Sequence, residues 1–257
     1  MNQNQESPVI TRYIESKRCL KLEDYNNDFD SIMSVIRKYK KVDKKTRILE
    51  VGSGTGWFQL LCLKNGLNCK GIEISPQLIA FSYSFGEKYG MKPDIELGNI
   101  EECDIGKSKY DVIIASSVFE HIEYWQKAMV NVFNALKKKG LFYFVSTNKY
   151  SLSNSGEYTI PFYGLLPSKV REWLLVKREG ESIKRLGLDY NQFNYFQLKK
   201  FFNRLGFSKI HDYTEFLNTT DFTSAWRRLL FNSFKHYRPL KILGLLFSPV
   251  TFFVCEK

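Results

Sequence analysis

The residues of this chain best suited to chemistry are two glutamates, one histidine and three glycines at fixed spacing. Glu50 is followed by Val51-Gly52-Ser53-Gly54-Thr55-Gly56, an acid and then glycines two apart. Glycine there permits positive φ in a tight turn and lets a ligand approach the backbone without meeting a Cβ. Glu73 follows Gly56 by 17 residues, where a carboxylate at the tip of a second strand accepts both hydroxyls of a ribose. His121 is one of three histidines, and an imidazole titrates in the range that removes a proton from a hydroxyl near neutral pH. Two phosphate-cradling patterns fail on spacing. The dinucleotide turn G-x-G-x-x-G needs its third glycine where Trp57 stands. The P-loop G-x-x-x-x-G-K-[ST] needs a Lys that is absent here. A turn this short, closed by Trp57, has room for an amino-acid-sized cation rather than a diphosphate.

The elements that must position these residues read clearly over 47–145. The apolar run Arg47–Val51 enters the glycine turn, and helical spacing resumes at Trp57, Phe58, Leu60, Leu61 and Leu63. A strand over Asn68–Ile74 ends in Glu73. Ser75-Pro76 then opens a helix as N-cap and first-turn proline. A short strand begins at Ile95, and a buried one runs over Lys109–Ala115. A helix spans 124–138, stopped by Lys139-Gly140, and a fifth strand is Leu141–Val145. Strand–helix alternation implies a parallel sheet with right-handed crossovers. Further on, a helix over Tyr195–Leu205 and a strand over Phe207–Tyr213 return to the sheet. The last strand, Thr251–Glu256, is expected antiparallel to it at the edge. The fold class is thus α/β: a doubly wound, mostly parallel seven-stranded sheet with an antiparallel last strand and a helical cap.

The acid-G-x-G-x-G turn resembles the first motif of the class I S-adenosylmethionine-dependent methyltransferases. Val118-Phe-Glu-His-Ile122, Leu136-Lys-Lys-Lys, and Ser146-Thr-Asn148 further on resemble the ubiquinone-biosynthesis O-methyltransferases and the small-molecule group around them. The likeness is good over 47–148 and loose over 191–213. It implies a bound S-adenosylmethionine held by Glu50, Gly52, Ser53, Gly54, Gly56, Glu73, Ile74 and Ser116. Asn99 and Ile100 fall where family members hold the adenine ring. Ser117, Phe119 and Asn148 lie at strand ends toward the acceptor, with His121 as the general base. Some of those enzymes hold a divalent metal with E-x-x-E-H. Here Ser117 stands at the first glutamate position, so no metal is expected.

The domain boundaries follow. Residues 1–46 form a helical segment covering the cofactor, with a helix over 25–41. Residues 47–150 form the cofactor core, 151–190 a basic cap over the acceptor, and 191–257 the rest of the sheet with an amphipathic insertion at 214–250. The net charge of +11 is uneven: residues 137–205 carry 13 Lys and Arg against 5 Asp and Glu, whereas 47–136 carry 8 against 11. A basic lid suits an anionic acceptor or surface. The insertion sets Trp226, Leu229 and Phe234 against Arg228 and Arg238, a pattern that can lie in a membrane interface. No stretch reaches the roughly 20 apolar residues of a span. The five cysteines show no C-x-x-C, which fits a reducing cytoplasm, so the expected place is cytoplasmic, peripheral on the membrane if the insertion docks. The acceptor class is a small molecule, a lipid-linked molecule or a glycan. Nucleic acid is the weaker alternative, because no [DN]-P-P-[YF] follows the fourth strand, where Ala115-Ser-Ser-Val118 stands. A non-catalytic cofactor-binding protein is the third reading.

Overall fold

The computed structural model describes residues 8–151, 163–184, 188, 190–216 and 224–257. Seven strands form one sheet: β1 Arg47–Val51, β2 Asn68–Glu73, β3 Ile95–Leu97, β4 Tyr110–Ser116, β5 Leu136–Thr147, β6 Lys209–Asp212 and β7 Val250–Glu256. Their order is β3-β2-β1-β4-β5-β7-β6. All neighbours are parallel except β7, which runs antiparallel to β5 and β6. The order reverses between β1 and β4, and a doubly wound sheet opens a crevice at the carboxyl ends of such a pair.

Side-chain alternation along the strands feeds two cores, one on each face. Leu49, Val51, Ile113, Ala115, Phe142 and Phe144 point to one face. There they meet the helices α5 (Trp125–Ala135) and α7 (Tyr195–Leu205). Ile48, Val112, Ile114, Leu141 and Tyr143 point to the other, against α2 (Asn26–Tyr39) and α3 (Trp57–Lys64). Aromatic rings fill the first core by edge contacts, as between Phe119 and Phe144 and between Phe202 and Phe253.

Local signals set the helix starts. Ser75 accepts from the Leu78 N–H at 3.3 Å at the start of α4 (Pro76–Glu87), with Pro76 in the first turn. Asn194 accepts from the Gln197 N–H at 2.9 Å, and Gly206, at φ 105°, ends α7. The helix expected to reach residue 138 ends instead at Ala135, because Leu136 pairs with Tyr110 and begins β5. The Lys257 ammonium closes that end, donating to the Phe133 and Leu136 carbonyls at 2.6 and 2.9 Å. The strand β6 is shorter than expected. Asp212 turns its carboxylate onto the Thr214 N–H, and α8 (Tyr213–Phe216) starts there.

The amino-terminal segment differs more. A helix, α1 (Pro8–Lys17), precedes α2. It is α1 that packs beside α4 and the cap, while α2 is given over to the core beneath the sheet. Of the cap, residues 152–162, 185–187 and 189 lie outside the described residues. Its described part has α6 (Ser168–Glu179) and single turns at Tyr163–Leu165 and Glu181–Lys184. Tyr163, Leu175, Ile183 and Leu188 form a small core that also takes Val9 of α1. In the carboxyl-terminal insertion, 217–223 lie outside the described residues. Two helices follow, α9 (Ala225–His236) and α10 (Arg238–Phe247), packed on each other.

Candidate cofactor and acceptor site

Two cavities open at the carboxyl edge of β1 and β4 and share Gly52, Glu73, Ile74, Val118 and His121. The larger, about 450 Å³, is lined by Glu50, the loop 52–55, Trp57, Ser116 and Ser117, and roofed by Val9, Ile10, Arg12 and Tyr13 of α1. The smaller, about 240 Å³, is lined by Gly98, Asn99, Ile100, Glu101, Leu188 and Tyr190. The two cavities adjoin as one groove, with His121 in the wall they share.

The glycine turn is shaped from both sides. Gly52, Gly54 and Gly56 have φ of 71°, 54° and 75°, values that L side chains rarely adopt. A Cβ on Gly52 would come 2.5 Å from Val118 Cγ2, and one on Gly56 would come 2.7 Å from Ser82 Cβ. On Gly54 a Cβ would meet only the Tyr13 hydroxyl at 4.0 Å, so the chain there faces the groove. The loop N–H groups turn inward. Gly52 and Ser53 donate to the Ile72 carbonyl, Gly56 to Ser53, and Gly54 to Glu73 Oε2 at 2.8 Å. A diphosphate cradle needs such groups directed at the ligand. Here those of Gly52, Ser53, Gly54 and Gly56 are spent, and the walls carry two buried carboxyl groups. That arrangement fits a ligand with a ribose and no phosphate.

Both carboxylates are buried. Burial pushes the Glu50 carboxyl up to about 8, and the neighbouring Glu73 charge adds to the shift. Burial also raises Glu73, opposed by the N–H groups of Gly54, Ser75 and Ile74. Glu73 Oε1 accepts from Ile74 and Ser75 at 2.9 and 3.0 Å. Beneath the loop, Gln59 lies 2.8 Å from Ser53 Oγ.

His121 sits in the single turn Phe119–His121 that follows β4. Its Nδ1 lies 3.1 Å from the Leu188 carbonyl. A carbonyl only accepts, so the proton is on Nδ1 and the basic lone pair is on Nε2. The turn is held by Asn191, whose side chain donates to the carbonyls of Phe119 and Ile122 at 3.2 and 2.6 Å. The Asn191 N–H donates to the Glu120 carbonyl at 3.0 Å. Glu120 is buried and accepts from Ser146 Oγ at 2.6 Å. Ser117, at φ 54°, makes the sharp exit from β4; such a conformation in a non-glycine residue is costly and is held by its surroundings.

Of the residues expected from sequence, Glu50, Gly52, Ser53, Gly54, Glu73, Ile74, Asn99, Ile100, Ser116, Ser117 and His121 line the groove. Gly56 is the amino-terminal cap of α3 and supports the turn from behind. Asn99 also folds its own loop, accepting from the Glu101 N–H at 3.0 Å. Two expectations are corrected. Phe119 is fully buried against Phe142 and Phe144, so it supports the turn and meets no acceptor. Asn148 is buried and donates to the carbonyls of Leu246 and Ser248 at 2.9 and 2.7 Å, fastening β5 to the end of α10. The sequence reading put a covering segment over 1–46 but drew its helix at 25–41, so it did not resolve α1, the helix that roofs the larger cavity. Its signal was present in Val9, Ile10, Tyr13 and Ile14, which share one helical face behind Pro8. It also missed Val118, Leu188 and Tyr190, for which no local pattern exists. Among the described residues, no group of three or more His, Cys, Asp or Glu side chains could hold a metal ion.

The seven-stranded order and the glycine turn against two buried glutamates define the class of nucleoside-binding, doubly wound transferases. The family described as "Methyltransferase domain" matches residues 24–212, and the chain belongs to it, among the class I S-adenosylmethionine-dependent methyltransferases. The ubiquinone biosynthesis O-methyltransferase of Pelagibacter ubique is 26% identical over 199 residues, covering 76% of this chain and 74% of that protein. That of Rickettsia conorii is 31% identical over 97 residues, 38% of this chain; the match spans about a third of that relative, 33%. Among solved structures, an S-adenosylmethionine-dependent methyltransferase from Mesorhizobium loti superposes with TM-score 0.57 at 15% identity, over 88% of this chain and 96% of that one. The Haemonchus contortus phosphoethanolamine N-methyltransferase 2, in complex with phosphomonomethylethanolamine and S-adenosylhomocysteine, gives TM-score 0.57 at 14% identity, over 89% of this chain and 52% of that one. At these identities the structural likeness is one of fold.

Proposed function

We propose that this chain transfers a methyl group from S-adenosylmethionine to an oxygen of a small or lipid-linked acceptor, with His121 as general base. The observation that carries the reading is that His121 lines both lobes of one groove. Bound S-adenosylmethionine supplies a methyl group already activated on a sulfonium. The chain's own tasks are then to bind, to align and to move a proton.

Each lobe has the chemistry for one part of the cofactor. Glu73 stands between them and accepts a ribose hydroxyl with the Oε2 lone pair that Gly54 does not use, Oε1 being taken by Ile74 and Ser75. Ile100 and Ile74 offer apolar walls to a flat base, with Asn99 beside them. The larger lobe takes the amino-acid half. There Gly54 allows close approach, and Glu50 lies in the wall as a buried carboxyl that can hydrogen-bond the amino-acid end. The base Nε2 accepts the acceptor's proton while Leu188 keeps Nδ1 protonated. Oxygen is the favoured nucleophile because a hydroxyl needs that deprotonation. The named O-methyltransferase relatives support it.

The test is tritiated-methyl transfer into cell extract split into lipid, glycan, RNA and small-molecule fractions. Label in a lipid or small-molecule product, stable to conditions that cleave phosphodiesters, is the expected result. Label confined to RNA would reverse the acceptor assignment.

A further inference from the structure

We propose that the α9–α10 hairpin docks on an anionic lipid bilayer and presents the groove to an amphiphilic acceptor held there. The proposal deepens the methyl-transfer reading and rests on it for the acceptor. The docking itself stands on three observations.

The first is position. Residue 250 begins β7 opposite Thr147, at the carboxyl end of β5, and β6 ends at Asp212 opposite Phe253. The hairpin therefore leaves and re-enters the sheet at its carboxyl edge, the edge on which the groove opens. Asn148 fixes this junction through the Leu246 and Ser248 carbonyls. Lys241 fixes it a second time, 3.2 Å from the buried Asp212.

The second is surface. Leu245 and Phe231 are buried and hold the hairpin to the body, and a Cβ on Gly244 would come 3.2 Å from Phe234, so α10 lies close on α9. The other sides are apolar and open. Leu229 is 72% exposed, Tyr237 65%, Leu243 47% and Phe247 43%, with Trp226, Leu240 and Ile242 also exposed. Leu240, Leu243 and Phe247 stand at i, i+3 and i+7 and share one face. A concentration of exposed apolar groups on a soluble fold marks an interaction surface.

The third is charge, and it chooses the occupant. Residues 224–250 hold five Lys and Arg and no Asp or Glu; with Lys241 taken up by Asp212, four basic residues remain. A second copy of this face would oppose like charges. A bilayer with anionic headgroups meets both the cations and the apolar side chains, with Trp and Tyr at the interface. Among the described residues no helix is long and apolar enough to cross a membrane, so the contact is parallel to the surface.

The full chain is mixed at physiological salt with vesicles of phosphatidylcholine alone, or of phosphatidylcholine with phosphatidylglycerol, and floated on a density gradient. Recovery with the mixed vesicles and not with the neutral ones is expected. The triple variant Leu229→Ser, Leu243→Ser, Phe247→Ser keeps the net charge, and its recovery should fall about tenfold. Arg238→Glu, at an exposed helix start, should weaken recovery on its own and guards against a folding defect in the triple variant. S-adenosylmethionine binding is measured on every sample. Flotation of the triple variant equal to that of the unaltered chain would overturn the proposal, since charge elsewhere would then suffice. So would failure of the unaltered chain to float, or a dimer that the same substitutions dissociate. Cofactor binding without flotation sinks the docking alone; flotation without cofactor binding sinks the methyl-transfer reading alone.

Discussion

At the residue scale, the proposed function gives two glutamates and one histidine of the groove separate tasks. Glu73→Ala should weaken S-adenosylmethionine binding by about 1–3 kcal/mol, the loss expected for hydrogen bonds to a charged group; calorimetry giving an unchanged affinity would contradict the ribose assignment. His121→Ala should slow turnover by about 10²–10⁴-fold with cofactor affinity kept; an unchanged rate would leave alignment as the whole of catalysis. Glu50 makes a prediction about pH. Its carboxyl rises from an ordinary 4.5 to about 8 in the fold, so the folded chain holds a proton that the unfolded chain has lost. Stability from this group is complete below about 4.5 and is lost as pH rises to about 8. Glu50→Gln should therefore flatten the fall in melting temperature across that window. At pH 8 it should gain stability on the order of a few kcal/mol, at the expense of cofactor affinity. A fall as steep in the variant as in the parent would show that Glu50 is already ionised.

At the element scale, the turn after β1 and the turn after β4 are one device. Val118 fills the space that a Cβ on Gly52 would need. Gly52→Ala should destabilise the chain by about 1–3 kcal/mol, from both overpacking and the positive φ. Val118→Ala should recover only the packing part, a difference readable from denaturant melts of the single and double variants. The second turn depends on Asn191, which bonds three of its carbonyls. Asn191→Ala should lower kcat while the cofactor dissociation constant stays within about twofold, because Asn191 positions His121 and touches neither lobe; loss of cofactor binding instead would make it a general fold residue. These turns also mark where sequence stops being informative. Glycine spacing and strand-end acids are local signals, and they placed Glu50, the loop and Glu73 in the groove. The direction of a side chain after a non-glycine residue at positive φ is not local. Ser117 turns the chain so that Phe119 faces the core, and periodicity says nothing of that. Asn148 was misread for a related reason, since its partners are about 100 residues away.

At the scale of the whole molecule, the alternating pattern over 47–145 was enough to predict the parallel half of the sheet. The antiparallel pair β6–β7 was legible from Gly206 and two apolar runs. The roof was not. The helix α1 carries a weak apolar stripe whose partners, α4 and the cap, come from distant parts of the chain. A chain shortened to begin at residue 18 should keep its core, because α1 adds nothing to either sheet-facing cluster. It should bind cofactor at least about tenfold more weakly, the roof of the larger lobe being gone. Equal affinity in the shortened chain would show that α1 does not close over the ligand.

The central claim is that the loop 52–56 turns the N–H groups of Gly52, Ser53, Gly54 and Gly56 inward and sets the Glu73 carboxylate in the wall, which selects a nucleoside without phosphates over a diphosphate. Calorimetric titration of one protein sample with S-adenosylmethionine, NAD and ATP tests it directly. The account predicts saturable binding of S-adenosylmethionine and no heat of binding from the other two. Binding of NAD or ATP with S-adenosylmethionine excluded would contradict it.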